Sequence, residues 1–173
     1  MKILKKKSKE DFYKLFKPQL TPKKMLELGV FGGAYFGLSI KEYPKSWFIN
    51  AKISKNFDVN LNRFKVKSGL SRKEWQEKGW IFKQDPLGWF QWYCRFSNGR
   101  RILHIDEIQI KRWKNFTRHV IAIKKNCEPV DLSCRRRQRQ AILQWTYDPF
   151  IKKITQVKHR FFYCIYAFYL YLV

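Results

Sequence analysis

The chain has 173 residues, 45% of them hydrophobic and 18% aromatic, and its 37 Lys plus Arg against 13 Asp plus Glu give a formal net charge of +24. So many large rings exclude global disorder, and the length suits one compact domain with or without a tail. The charge, with a pI near 10.1, points to a polyanionic partner such as DNA, RNA or an anionic lipid surface, although charge by itself fixes neither fold nor function.

Residues 1 to 7 form a basic arm, and Ser8 with Asp11 suits the start of a short helix ending before Pro18, so 1–19 reads as an arm plus a short helix. MKILKKKSKE runs straight into charge, unlike a secretory signal, and Glu10 with Asp11 departs from the acid-poor pattern of a transit peptide. The expectation is an intracellular setting, cytoplasmic or nucleoid-associated. There the four cysteines, Cys94, Cys127, Cys134 and Cys164, are not expected to form a disulfide scaffold.

Thr21, Pro22 and Gly29 stand as cap, first-turn proline and terminator of a helix over TPKKMLELG. Gly32 and Gly33 read as a turn or a close-packing point, because no Gly-rich loop ending in Lys-Ser or Lys-Thr follows them. SWFINAKI is equally compatible with a strand and a short helix. Ser71 and Glu74 make a capping box, Leu70 and Trp75 stand at staple positions, and Gly79 closes that helix.

Asp85 is expected to cap a helix through PLGWFQWYCRF that Asn98 and Gly99 stop. Asp106 with Gln109 opens a longer helix to about Lys125, and a loop with Cys127 and Pro129 leads to a last helix over about 132–147, ended by Asp148 and Pro149. The fold class is mainly α: one helical core domain over 20–149 with an aromatic core and at most a minor β element. Residues 150–173 are basic, then apolar. Their FFYCIYAFYLYLV run, 161–173, falls short of the roughly 20 residues that span a bilayer, which leaves core packing or an interfacial membrane anchor flanked by Lys152, Lys153, Lys158 and Arg160. No internal repeat is present.

Two helices carry the functional expectation. On one, Lys111, Lys114, Arg118 and Lys125 recur at spacings that stack them along one side, with Ile110, Trp113, Phe116 and Val120 opposite and no acid between 111 and 125. On the next, Cys134, Gln138, Ala141, Ile142 and Trp145 share a face, while Arg135, Arg136 and Arg139 point largely away from it. With Arg137, Gln138 and Gln140 these arginines form a donor-rich surface able to hold phosphates or reach base edges. Arg95, Arg100 and Arg101 add a basic rim beside the seam of Trp89, Trp92, Tyr93 and Phe96, itself read as core. The leading expectation is a DNA- or RNA-binding protein docking these faces on the phosphate backbone.

Other chemistry is thinly signalled. Cys94, His119, Cys127 and Cys134 have the composition of a Cys3His zinc site but lack the close ligand spacing of zinc ribbons, and Cys127 could instead meet Cys134 across the loop. Asp106, Glu107 and His119 are the candidates for an enzyme of nucleic-acid processing or modification, with zinc as its conceivable cofactor. A peripheral membrane or assembly protein held by 161–173 is the remaining alternative.

The strings LTPKKMLELGVFGGAYF (20–36), DPLGWFQWYCRF (85–96), NGRR (98–101), QIKRW (109–113), Arg118-His119, Asn126-Cys127 and CRRRQRQAILQW (134–145) together resemble a widespread family of uncharacterised proteins. The resemblance covers roughly residues 20 to 148 and implies no activity, cofactor or partner. The family pattern has proline between the first two arginines of the last motif, where this chain has Arg136, and the tail after Asp148 lies outside it.

Overall fold

The computed structural model describes residues 13–35 and 37–151, and among them six short α-helices follow in the order α1 (Pro22–Leu28), α2 (Arg72–Glu77), α3 (Trp89–Ser97), α4 (Leu103–Asn115), α5 (Thr117–Asn126) and α6 (Arg136–Gln144). Four 3-10 turns lie between α1 and α2, and no strand occurs among the described residues, so the mainly α expectation holds without a β element. SWFINAKI is neither a strand nor an α-helix: its first two residues end the 3-10 turn Lys45–Trp47, and turn and coil follow. The basic arm and the run 161–173 lie outside the described residues. Among those described, no helix is long and apolar enough to cross a membrane.

The caps of α1 and α2 follow the sequence. Thr21 accepts from the Lys24 amide at the head of α1, and Gly29 leaves it at φ 78°. At α2 the Ser71 hydroxyl accepts from the Glu74 amide while the Glu74 carboxylate accepts from the Ser71 amide. Its end is a Schellman turn: the Gly79 amide bonds the Gln76 carbonyl and the Trp80 amide bonds the Trp75 carbonyl, both at 2.9 Å, with Gly79 at φ 65°. The Trp75 and Trp80 rings meet edge-on at 5.8 Å, which supplies the apolar contact that such turns favour.

The glycine segment after α1 is a close-packing point. A Cβ on Gly29 would lie 1.9 Å from the Leu61 carbonyl oxygen, and one on Gly32 would lie 2.5 Å from the Phe57 ring. Without side chains there, the 29–33 backbone pairs with the coil beyond it: Ser54 donates to Gly33, Asp58 to Gly32 and Arg63 to Gly29. This layer needs no strand because the irregular backbone satisfies itself by cross-bonding.

The core is aromatic. Trp89, Phe90, Trp92 and Tyr93 of α3 are all buried, with Phe16 against Trp92, Tyr93, Phe96 and Trp113, and Trp89 against Trp145 at 4.5 Å. Two of the buried rings place their polar tips on carbonyls: Trp89 Nε1 donates to that of Gln109 and the Tyr93 hydroxyl to that of Leu20.

Four helix boundaries differ from expectation, the simplest being the last helix, which runs Arg136–Gln144 rather than about 132–147. Asp85 does not cap α3, whose N-cap is Gly88; it is fully buried and holds Arg95 at 3.0 Å and Arg100 at 2.6 Å. Asp106 does not precede α4 but sits inside its first turn, where its carboxylate reaches back to the Ile102 amide. The expected helix to Lys125 is two helices, broken at Phe116, whose ring stacks on Trp145 at 4.2 Å while the Thr117 hydroxyl meets that of Tyr147. No Pro or Gly marks this break; the ring contacts of Phe116 accompany it.

Candidate nucleic-acid interface

The residues expected to bind phosphate divide into those the fold consumes and those it leaves outside. Arg139 is the clearest correction, being fully buried: its Nε donates to the Cys134 carbonyl, Nη1 to that of Pro149 and Nη2 to that of Asp131, at 2.6–3.0 Å. It ties the segment before α6 to the segment after it and is not available to a ligand. Gln140 is equally buried, accepting from the Phe64 amide and donating to the Gly29 carbonyl. Helical geometry placed both on the presumed outer face, but the C-terminal half of α6 is enclosed, and its polar side chains are buried with the hydrogen bonds that burial demands.

Arg100 is half-buried against Asp85, and Arg101 lies over the Phe96 ring at 3.6 Å while donating to the Phe96 and Arg100 carbonyls. Arg136 is exposed, yet its Nε donates to the Phe64 carbonyl at 2.9 Å. These three keep their charge near the surface but are held by internal partners.

Lys111 and Lys114 on α4, Arg118 and Lys125 on α5, and Arg135 and Arg137 on α6 remain exposed. Among the described residues, none of these six takes part in an ion pair. The break at Phe116 means that Lys111 and Lys114 do not share one cylinder with Arg118 and Lys125. The α5 and α6 residues do share a neighbourhood, because those helices make the most extensive helix–helix contact described. Arg135 Nη1 donates to Gln138 Oε1 at 2.8 Å, and Gln138 Nε2 lies 3.4 Å from His119 Nδ1, next to Arg118. Partial burial, then the Arg118 charge, holds the His119 imidazole below its ordinary value.

The catalytic candidates are not assembled. Asp106 is buried and accepts from Trp92 Nε1, the Tyr13 hydroxyl and the Ile102 amide, a structural acceptor role. Glu107 is exposed, and His119 shares no partner with Asp106. The zinc set is dispersed as well. Cys127 and Cys134 are joined by a disulfide with Cα atoms 5.8 Å apart, a single local link across the loop rather than a scaffold. Cys94 is buried in the aromatic core, which pushes its thiol well up and away from the thiolate a metal needs. Among the described residues, no three His, Cys, Asp or Glu side chains are grouped to hold a metal ion.

A feature absent from the sequence expectation is an aromatic cleft of about 690 Å³ whose walls include Trp75, Trp80, Trp89, Trp145 and Phe116, with Lys67 and Arg72 among its polar lining. Trp75 and Trp80 stand five residues apart at the end of α2 while Trp145 follows α6, so no local pattern joins all three. The signal that could have found them is the pair Trp75 and Gly79-Trp80, since a Schellman turn brings those two rings together. Comparison with protein-family models, with curated proteins and with solved structures finds no match for this chain.

Proposed function

We propose that this chain is a nucleic-acid-binding protein that seats the exposed cations of α5 and the start of α6 on a phosphate backbone. The observation that carries the reading is that Arg118, Lys125, Arg135 and Arg137 are exposed and without acidic partners among the described residues, on two helices packed against each other. In a chain of net charge +24, Arg95, Arg100, Arg101, Arg136 and Arg139 are taken up by a buried carboxylate, a ring face and carbonyls, whereas these four cations on adjoining helices are left able to displace counterions from a polyanion. In the connecting loop the Asp131 carboxylate is turned onto Ser133 and the Cys134 amide.

The test is equilibrium binding of labelled oligonucleotides across a salt series. Log affinity should fall linearly with log salt, with a slope of about −0.9 per phosphate contact on duplex DNA or about −0.7 on a single strand. Affinity indifferent to salt would remove the proposal.

A further inference from the structure

We infer that the aromatic cleft takes an unstacked nucleobase, so that the chain holds single-stranded nucleic acid in preference to duplex; this rests on the nucleic-acid reading of the basic helices. The cleft's volume, about 690 Å³, lies within the range of sites that enclose small planar ligands. Its walls are ring faces and edges: Trp75 meets Trp80 edge-on at 5.8 Å and Trp145 at 5.8 Å, and Trp145 in turn stacks with Phe116. Three large apolar side chains of its lining are left open to solvent, Phe57 at 50%, Leu70 at 44% and Trp80 at 41%. Exposed rings gathered at one opening mark a surface that is covered in use.

Charge selects the occupant. Lys67 and Arg72 stand in the cleft lining, and a shallower depression sharing Lys67, Gly69 and Leu70 with it adds Lys65 and Arg137. Glu74 also borders that depression, but its carboxylate is engaged by the Ser71 amide and hydroxyl, both at 2.7 Å. Arg137 belongs to the start of α6, beside Arg135, and its carbonyl accepts from the Ser68 hydroxyl, which lines the cleft. A strand whose phosphates follow α6 is therefore led to the aromatic walls. Gln144, a buried residue of the lining with Nε2 3.4 Å from the Ser68 carbonyl, supplies a carboxamide of the type that pairs with base edges. Paired, stacked bases cannot offer their faces to such walls, whereas an unpaired base can.

The experiment measures fluorescence anisotropy with the full chain and labelled strands of about 12 nucleotides: oligo(dT), oligo(rU), an abasic strand of equal charge and a duplex. Proteins are the wild type, Trp80→Ala, Trp80→Phe and Phe57→Ala, each checked by thermal melting. Tighter binding of oligo(dT) or oligo(rU) than of both the abasic strand and the duplex is expected. Trp80→Ala should cost about tenfold on the based strand only, Trp80→Phe should recover most of that loss, and Phe57→Ala reads the same site should Trp80→Ala melt. Abasic and based strands bound alike, with the ring variants silent, would overturn the inference and hand the cleft to another occupant such as an apolar peptide, while the basic-helix reading stood. Failure of every strand to bind would overturn both.

Discussion

Arg139 and Arg135 belong to one run of arginines, yet they do opposite work. Arg139 spends its guanidinium on three carbonyls inside the fold, and Arg135 reaches only Gln138 at the surface. Replacing Arg139 with Ala leaves those carbonyls without donors in a sealed site and should cost about 3 kcal/mol or more in denaturant unfolding, whereas Arg135→Ala should stay within about 0.5 kcal/mol. Equal losses would mean that the two arginines are not distinguished in this way. Asp106→Ala should likewise cost about 3 kcal/mol, because Trp92, Tyr13 and the Ile102 amide all lose an acceptor. His119 adds a pH dependence. Its folded value is lowered, so as pH falls the unfolded chain takes the proton first; the stabilisation is present above the ordinary value near 6.5 and is lost as pH drops through it toward the folded value. Thermal melts between about pH 7.5 and about pH 5 should therefore fall more steeply for the wild type than for His119→Gln.

At the scale of elements, end devices decide what the short helices present. α2 has no buried residue, and its Schellman turn sets Trp80 at the cleft. Gly79 meets nothing that a Cβ would strike, so Gly79→Ala pays only for the left-handed backbone, about 1 kcal/mol, and should weaken single-strand binding by loosening Trp80. Melting temperature and oligo(dT) affinity, measured together, check this. The Cys127–Cys134 link closes the loop joining α5 to α6; opening it with reductant, or by the double Ser variant, should cost about 2–3 kcal/mol by loop-closure entropy. Arg136, standing where the similar motif has proline, is the first residue of α6, the helical position whose amide needs no partner and where proline is accommodated.

Over the whole molecule, charge and core are separated by chemistry rather than by a simple inside and outside. Arginine is drawn inward wherever a buried carboxylate or carbonyl set can hold it, as Asp85 holds Arg95 and Arg100, and what remains outside determines the field a polyanion meets. The triple variant Arg118→Ala, Arg135→Ala, Arg137→Ala should melt close to the wild type while the slope of log affinity against log salt drops by about one per lost phosphate contact. A lost slope together with a collapsed melt would assign those residues to the fold instead.

Caps were legible from sequence because they act within one turn: Thr21 with Lys24, Ser71 with Glu74, and Gly79 each needed only neighbours three or four residues away. The aromatic seam of α3 was legible for the same reason, since helical spacing alone puts its rings on one side. Asp85 and Asp106 carried the signature of caps but were claimed by partners elsewhere in the chain, and Arg139 and Gln140 carried the signature of a surface but were enclosed by segments 64, 131 and 149. Composition and local spacing determined that the chain is helical, aromatic-cored and strongly basic. Only the tertiary structure decided which cations stay outside and which tryptophans share a cleft, because both depend on contacts between residues far apart in sequence, where no periodicity reports the partner.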